Sequence, residues 1–401
     1  MEIVKLAVVV IIVALLMWRK VDLGISLLTG AIITGVLFGM KPVEILLSIQ
    51  KSAINKNTLE LLAAVFIILG MGRYMSAGRT LERMVDALEK IIRDRRIAMV
   101  IPPALIGLLP TPGGAMLSAP MVDESGNKLN LTAEQKTYIN FWFRHLWEYC
   151  WPLYPGLIIA SVILEVPIRS MMKEQYLLSA AAITAGTIFG LIPIKSGKIE
   201  ISGEDNIWKS FITFNISIWQ IWAILIGLVL FKLPILVILS VVFIIMAASP
   251  KIEFKQKWIL FRKVLSWKIG LLLLSAMIFK QIVMDSSAVT AVPESLEASG
   301  ISPYFMLFII PFIVGLLTGV NQAYVGVGYP LLLPFFGIES IDLKLVMFAY
   351  TAGFIGVLIS PVNLCLLLTK EYFGAGWGGI YKLMIPSVLI IFLSSLILLA
   401  I

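Results

Sequence analysis

One motif occurs twice in this chain, roughly 208 positions apart, and each copy interrupts an apolar segment where a membrane helix would otherwise run on. The first copy runs from Ile101-Pro102 through Gly107-Leu108-Leu109 into Pro110-Thr111-Pro112-Gly113-Gly114, with Trp151-Pro152 further on. The second runs from Ile310-Pro311 through Gly315-Leu316-Leu317 into Thr318-Gly319-Val320-Asn321-Gln322, with Ser360-Pro361 further on. Pro102 and Pro311, Gly107 and Gly315, and Pro152 and Pro361 lie 209, 208 and 209 positions apart. Broken apolar segments at matching places in two halves point to the substrate site of a secondary carrier.

Composition independently indicates a membrane protein. Of 401 residues 59% are hydrophobic and 14% charged, against about 25% charged in soluble domains; mean hydropathy is +0.97. The first apolar segment, Ile3 to Trp18, is followed by Arg19-Lys20 with no A-x-A-like cleavage site, so it reads as a retained helix. The net charge of +8 lies in short loops beside the apolar segments and has no aromatic-basic stripe, which sets nucleic acid aside as a partner. The cysteines, Cys150 and Cys365, read as small buried hydrophobes, and one histidine excludes a zinc-type His/Cys site.

The expected fold is an all-α polytopic membrane protein with about ten spans, near 3–18, 21–39, 58–76, 138–164, 176–194, 210–231, 233–248, 268–284, 343–369 and 378–400. The apolar stretches 97–122 and 303–336 are broken by Gly and Pro in the middle. Unpaired backbone cannot face lipid, so each is expected to be a re-entrant hairpin buried in protein. The chain then divides into scaffold spans (1–57), a first repeat (58–194), a central linker with scaffold spans (195–267) and a second repeat (268–401). Each repeat would hold an amphipathic arm (80–93 or 289–298), a hairpin and a broken helix (138–164 or 343–369). Seven basic residues between Arg73 and Arg96, and six between Lys251 and Lys268, contrast with a stretch from Asp285 to Pro303 that has none. With the basic loops in the cytoplasm, the repeats acquire inverted topology, and the chain is expected in the inner (cytoplasmic) membrane.

This layout resembles the ion transporter superfamily, which includes sodium-coupled dicarboxylate, citrate, gluconate, lactate and arsenite carriers. Pro110-Thr111-Pro112-Gly113-Gly114-Ala115-Met116-Leu117-Ser118-Ala119-Pro120 and Ser360-Pro361-Val362-Asn363-Leu364-Cys365 to Thr369 look like a prokaryotic branch of uncharacterised integral membrane proteins within it. The resemblance implies two inverted repeats moving a small anion by alternating access. Many members are dimers, so a homodimer is expected on the same ground. The Ser-Asn-Thr hairpin signature of the dicarboxylate carriers is absent, and their substrate is not carried over.

Helix N-termini offer free N–H groups and a positive dipole end to an anion, and unwound carbonyls suit sodium. Thr111, Gly113, Gly114, Thr318, Asn321, Gln322 and Asn363 are the expected substrate-binding residues. Pro110, Thr111, Gly319, Ser360 and Asn363 are the expected ion-binding residues, with sodium the favoured coupling ion and no resident cofactor. Arg144, His145 and Glu148, charged or titratable residues inside a span, are the alternative proton-coupling group, or else Arg144 and Glu148 only neutralise one another. An enzyme is not expected, because His145-x-x-Glu148 is not H-E-x-x-H and no G-x-S-x-G occurs. A channel is the remaining alternative, since re-entrant loops also build pores.

Overall fold

The computed structural model describes residues 2–110, 113–197, 206–248, 254–337 and 340–401. Among them every regular element is a helix. Three helices open the chain: α1 (Glu2–Trp18), α2 (Leu23–Leu37) and α3 (Pro42–Ala53). A first run comprises α4 (Lys56–Ala77), α5 (Thr80–Glu89), α6 (Arg95–Ile106), α7 (Ala115–Lys128), α8 (Ala133–Arg144), α9 (Pro155–Leu164) and α10 (Ile168–Gly186). Four connecting helices follow, α11 (Ile207–Ser217), α12 (Trp219–Leu225), α13 (Ile235–Ala248) and α14 (Phe254–Val264). A second run then comprises α15 (Trp267–Asp285), α16 (Ala288–Ser299), α17 (Pro303–Thr318), α18 (Asn321–Leu332), α19 (Leu343–Ile359), α20 (Leu364–Phe373) and α21 (Trp377–Ala400).

Helix starts in the two runs correspond to within a few residues. The pairs Thr80 and Ala288, Arg95 and Pro303, Pro155 and Leu364, and Ile168 and Trp377 each lie 208 or 209 positions apart, and the other three, Ala115 and Asn321, Ala133 and Leu343, and Lys56 and Trp267, lie 206, 210 and 211 apart. Helices α9 and α20 also end alike, in left-handed residues at Glu165 (φ 56°) and Gly374 (φ 67°).

Four helical stretches are long and apolar enough to cross a membrane: Lys56–Ala77, Lys255–Asp285, Leu343–Phe373 and Trp377–Ala400. A fifth is reached if Ile207–Ser217 and Trp219–Leu230 count as one span bent by 59°. The molecule is a helical membrane protein. Fewer stretches meet that length than the ten spans expected from sequence, because other apolar segments, such as α9 and α17, form helices of 10–17 residues. Pro and Gly cut several of these short.

The bend at Ile218 was not expected, since no Pro or Gly lies there. Its cause is a run of side chains that bond carbonyls one turn back: Thr213 to Lys209 at 2.8 Å, Asn215 to Phe211 at 2.9 Å and Ser217 to Thr213 at 2.8 Å. Such competition loosens the backbone ladder. Before α6, Asp94 caps the helix by accepting from the Arg96 N–H, and the Arg96 guanidinium 2.7 Å away holds its carboxyl down at about 2.

Close packing at the centre depends on absent side chains. A Cβ on Gly107 would strike the carbonyl oxygen of Arg144, and one on Gly315 would strike that of Gly353. The same backbone-on-backbone contact thus joins α6 to α8 and α17 to α19. Helix α18 and the stretch of α19 from Val346 to Leu358 are buried all round, which accounts for their lack of a polar face. Overpacking typically costs about 1–3 kcal/mol, so Gly315→Val should lower the thermal midpoint in detergent by several degrees. At Gly378 an added Cβ meets nothing within 4 Å, and Gly378→Ala should move the midpoint by no more than about a degree.

Candidate functional site

Two helix breaks meet at the centre. Helix α8 stops at Arg144, and α9 resumes at Pro155. Proline forces the preceding Tyr154 into extended backbone (φ −79°, ψ 123°) and is itself suited to the first helical position. Helix α19 stops at Ile359, Ser360 is extended before Pro361 (φ −69°, ψ 123°), and Asn363 caps α20 by accepting from the N–H groups of Cys365 and Leu366. Opposite this break, α17 ends in Gly319 with φ 64°. A Cβ there would lie 2.6 Å from the Asn363 Cα, so only glycine serves.

Between the breaks lies a cavity of about 310 Å³. The first turns of three helices reach it: α9 through Tyr154, Pro155 and Gly156, α18 through Asn321 and Gln322, and α20 through Asn363, Leu364 and Cys365. Pro110 and Gly113 close another wall, and Arg144, His145 and Glu148 supply the charged or titratable groups.

Those three side chains are almost wholly buried, at 3%, 4% and 6% exposure. Glu148 Oε2 accepts a short hydrogen bond from the Asn321 amide, tying the first break to α18. Its backbone oxygen accepts from the Tyr350 hydroxyl of α19 at 3.0 Å. His145 Nδ1 lies 2.6 Å from the Phe141 carbonyl, and its Nε2 lies 3.6 Å from Glu148 Oε1. Arg144 is within electrostatic reach of Glu148, Tyr154 and Cys365. Since α8 ends at Arg144, Arg144 and Glu148 do not share a helix; the turn beyond it brings them to the same wall. The oxygen Oδ1 of Asn321 has no hydrogen-bond partner among the described residues.

Of the residues singled out from sequence, Pro110, Gly113, Arg144, His145, Glu148, Gly319, Asn321, Gln322 and Asn363 line this one cavity. Three others are not. Thr318 turns its hydroxyl to the Val314 carbonyl at 2.8 Å, Ser360 is fully buried on the Leu316 carbonyl at 2.6 Å, and Gly114 lines a neighbouring cavity. Thr111 lies outside the described residues.

Sequence reasoning missed Tyr154 and Cys365. Tyr154 occupies the position 209 before Asn363, immediately ahead of a helix start, and bonds the Gly107 carbonyl at 2.5 Å. It also missed Asn140, fully buried, which bonds Ser118 at 2.6 Å, the Ala115 carbonyl at 2.9 Å and Thr369 at 3.2 Å, fastening α7 and α20 to α8.

Removing the Asn321 amide would strand a buried carboxylate. Hydrogen bonds to charged groups are worth about 1.5–3 kcal/mol, so Asn321→Ala should lower the detergent unfolding midpoint by several degrees. The double variant with Glu148→Gln should recover part of that loss; a purely additive pair would show that the two side chains do not interact.

No curated protein matches the sequence. A family model described as "Protein of unknown function (DUF401)" matches residues 2–401. With both broken helices and the cavity between them inside that match, the chain belongs to the DUF401 family.

Proposed function

We propose that this protein is a secondary active transporter that moves a small organic anion across the cytoplasmic membrane by alternating access, coupled to sodium. The observation that carries the reading is the cavity on which the N-termini of α9, α18 and α20 converge beside Arg144. Each helix N-terminus contributes the equivalent of about half a positive charge, so the wall favours an anion more than its net side-chain charge suggests.

Charge balance supplies the argument for coupling. Arg144 and Glu148 offset one another, so apart from the partial charges of the helix ends an added anion has no full counter-charge in a site of low dielectric. A cation carried with it removes that penalty. Sodium fits the hard oxygen atoms at the cavity, above all the unpartnered Asn321 Oδ1. On this reading the two runs of helices are inverted repeats within about ten spans, and α6–α7 and α17–α18 are re-entrant hairpins opening to opposite sides. The near-constant spacing of helix starts, 206 to 211 positions, and the clustering of basic residues in two connections support it.

A second reading rests on the His145–Glu148 geometry. The short contact to the Phe141 carbonyl assigns the ring hydrogen to Nδ1, leaving Nε2 bare toward Glu148. A proton between the two would then be the coupling ion.

Opposite hairpins can be tested by cysteines at Glu124 and Ser340, both exposed. The first should react with an impermeant thiol reagent only from the cytoplasm and the second only from outside. Reaction of both from one side would refute the inverted arrangement. Coupling is read in proteoliposomes with a panel of radiolabelled small carboxylates. Under the sodium reading, replacing sodium by choline at constant pH abolishes saturable uptake, Asn363→Ala abolishes it, and His145→Gln retains it. Uptake that runs without sodium, follows an imposed pH gradient and fails in His145→Gln would establish the proton instead.

A further inference from the structure

A second cavity, of about 530 Å³, lies against the first. Its walls are α4 (Leu69, Gly72, Arg73, Ser76, Ala77), the end of α14 and start of α15 (Leu260, Val264, Ile269), and the turn between α6 and α7. Pro110 and Gly113 line both cavities, so the two are separated by the width of single residues at those points.

Arg73 is the one charged residue of this lining. It lies one turn inside the end of α4, a helix apolar enough to span a membrane. No hydrogen bond or ion pair engages it among the described residues. Arg73 is exposed, near the end of α4 that the basic residues assign to the cytoplasm. The neighbouring α14 adds Lys255, Lys257, Arg262 and Lys263, and Asp or Glu is absent from that helix. Those basic residues stand outside the lining, to which α14 contributes Leu260 and Val264, so Arg73 is the fixed cation of the cavity, opposite the glycines Gly113 and Gly114.

We infer that this cavity is an anion vestibule, in which Arg73 attracts small anions and passes them to the central cavity across the Pro110 and Gly113 wall. The inference rests on the reading of the central cavity as the substrate site. It adds a residue, Arg73, and a route from the α4–α14 side. The occupant is a small anion with one or two negative charges, since a cavity of this volume with a single fixed cation has no means of pairing more. Arg73 is not itself in the central site, so its contribution is to the rate of approach, which depends on ionic strength.

Cys365 lines the central cavity and is a built-in reporter that requires no knowledge of the substrate. The probes are 2-sulfonatoethyl and 2-(trimethylammonium)ethyl methanethiosulfonate, of similar size and opposite charge. In each case the Cys365 thiolate attacks the thiosulfonate sulfur, a mixed disulfide forms and methanesulfinate leaves. Cys150, whose Sγ meets Ser179 at 3.3 Å, is first replaced by Ser so that one thiol remains. Rates are followed by intact-protein mass.

The ratio of anionic to cationic labelling rates should fall in Arg73→Gln by about fourfold for a passing reagent about 10 Å from the charge in water, roughly twofold from each reagent. Arg73→Lys should keep the parent ratio, and about 1 M salt should erase the difference between parent and Arg73→Gln. A ratio unchanged by Arg73→Gln, the result expected if Arg73 only reaches lipid headgroups, would overturn the vestibule and leave the central site standing. Failure of both reagents to reach Cys365 in every variant would overturn the two readings together.

Discussion

Where a helix breaks inside a membrane protein, its freed carbonyl oxygens have no water to turn to, and each must find a donor within the protein. Here the donors come from the opposite break or turn. Trp147 Nε1 reaches the Ala104 carbonyl and Trp151 Nε1 the Leu108 carbonyl, both at 2.8 Å, and the Tyr154 hydroxyl reaches that of Gly107. In the second run the Ser360 hydroxyl takes the Leu316 carbonyl, and the Asn363 amide takes those of Gly319 and Val357 at 3.3 Å. Trp151 and Ser360, at positions 209 apart, thus serve Leu108 and Leu316, at positions 208 apart. The two runs satisfy the same backbone atoms with different chemistry.

That requirement fixes the distance between the elements, and the glycines make the distance attainable. Donors as short as Ser360 reach a carbonyl only if α17 and α19 touch along their backbones, which Gly315 against Gly353 allows. In the first run Gly107 against the Arg144 carbonyl gives an equally close approach, and the break that follows carries Arg144, His145 and Glu148. The corresponding positions in the second run are Gly353, Phe354 and Val357, which pack tightly. The charged wall of the cavity belongs to one half.

Much of this was legible because Pro and Gly act on the backbone in ways that do not depend on tertiary context. Trp151-Pro152, Ser360-Pro361 and the glycines at 107, 315 and 319 marked the breaks and turns at their true positions. What sequence does not give is the direction in which a side chain at a break points. Thr318, Ser360 and Gly114 sit beside the cavity in sequence, yet the first two are claimed by carbonyls of their own surroundings and the third faces the neighbouring cavity. Tyr154 escaped notice because a tyrosine and an asparagine do not look alike, although both precede a helix start and bond a carbonyl across the gap. The bend at Ile218 arises from three ordinary polar residues whose effect depends on their rotamers, which the sequence leaves open.

The bonds that cross between the halves set the mechanics of the molecule. Glu148 to Asn321, Tyr350 to the Glu148 backbone, and Asn140 to Thr369 rivet α8, α18, α19 and α20 into a single block. Pulling the two breaks apart would strand several buried polar groups at once, each costing about 1–3 kcal/mol. Helix α4 meets α13 through rings such as Phe243 against Tyr74, which can slide without stranding a polar atom. A displacement that leaves this block whole strands fewer polar groups than one that passes through the cavity. A ligand held there would travel with its binding groups undisturbed.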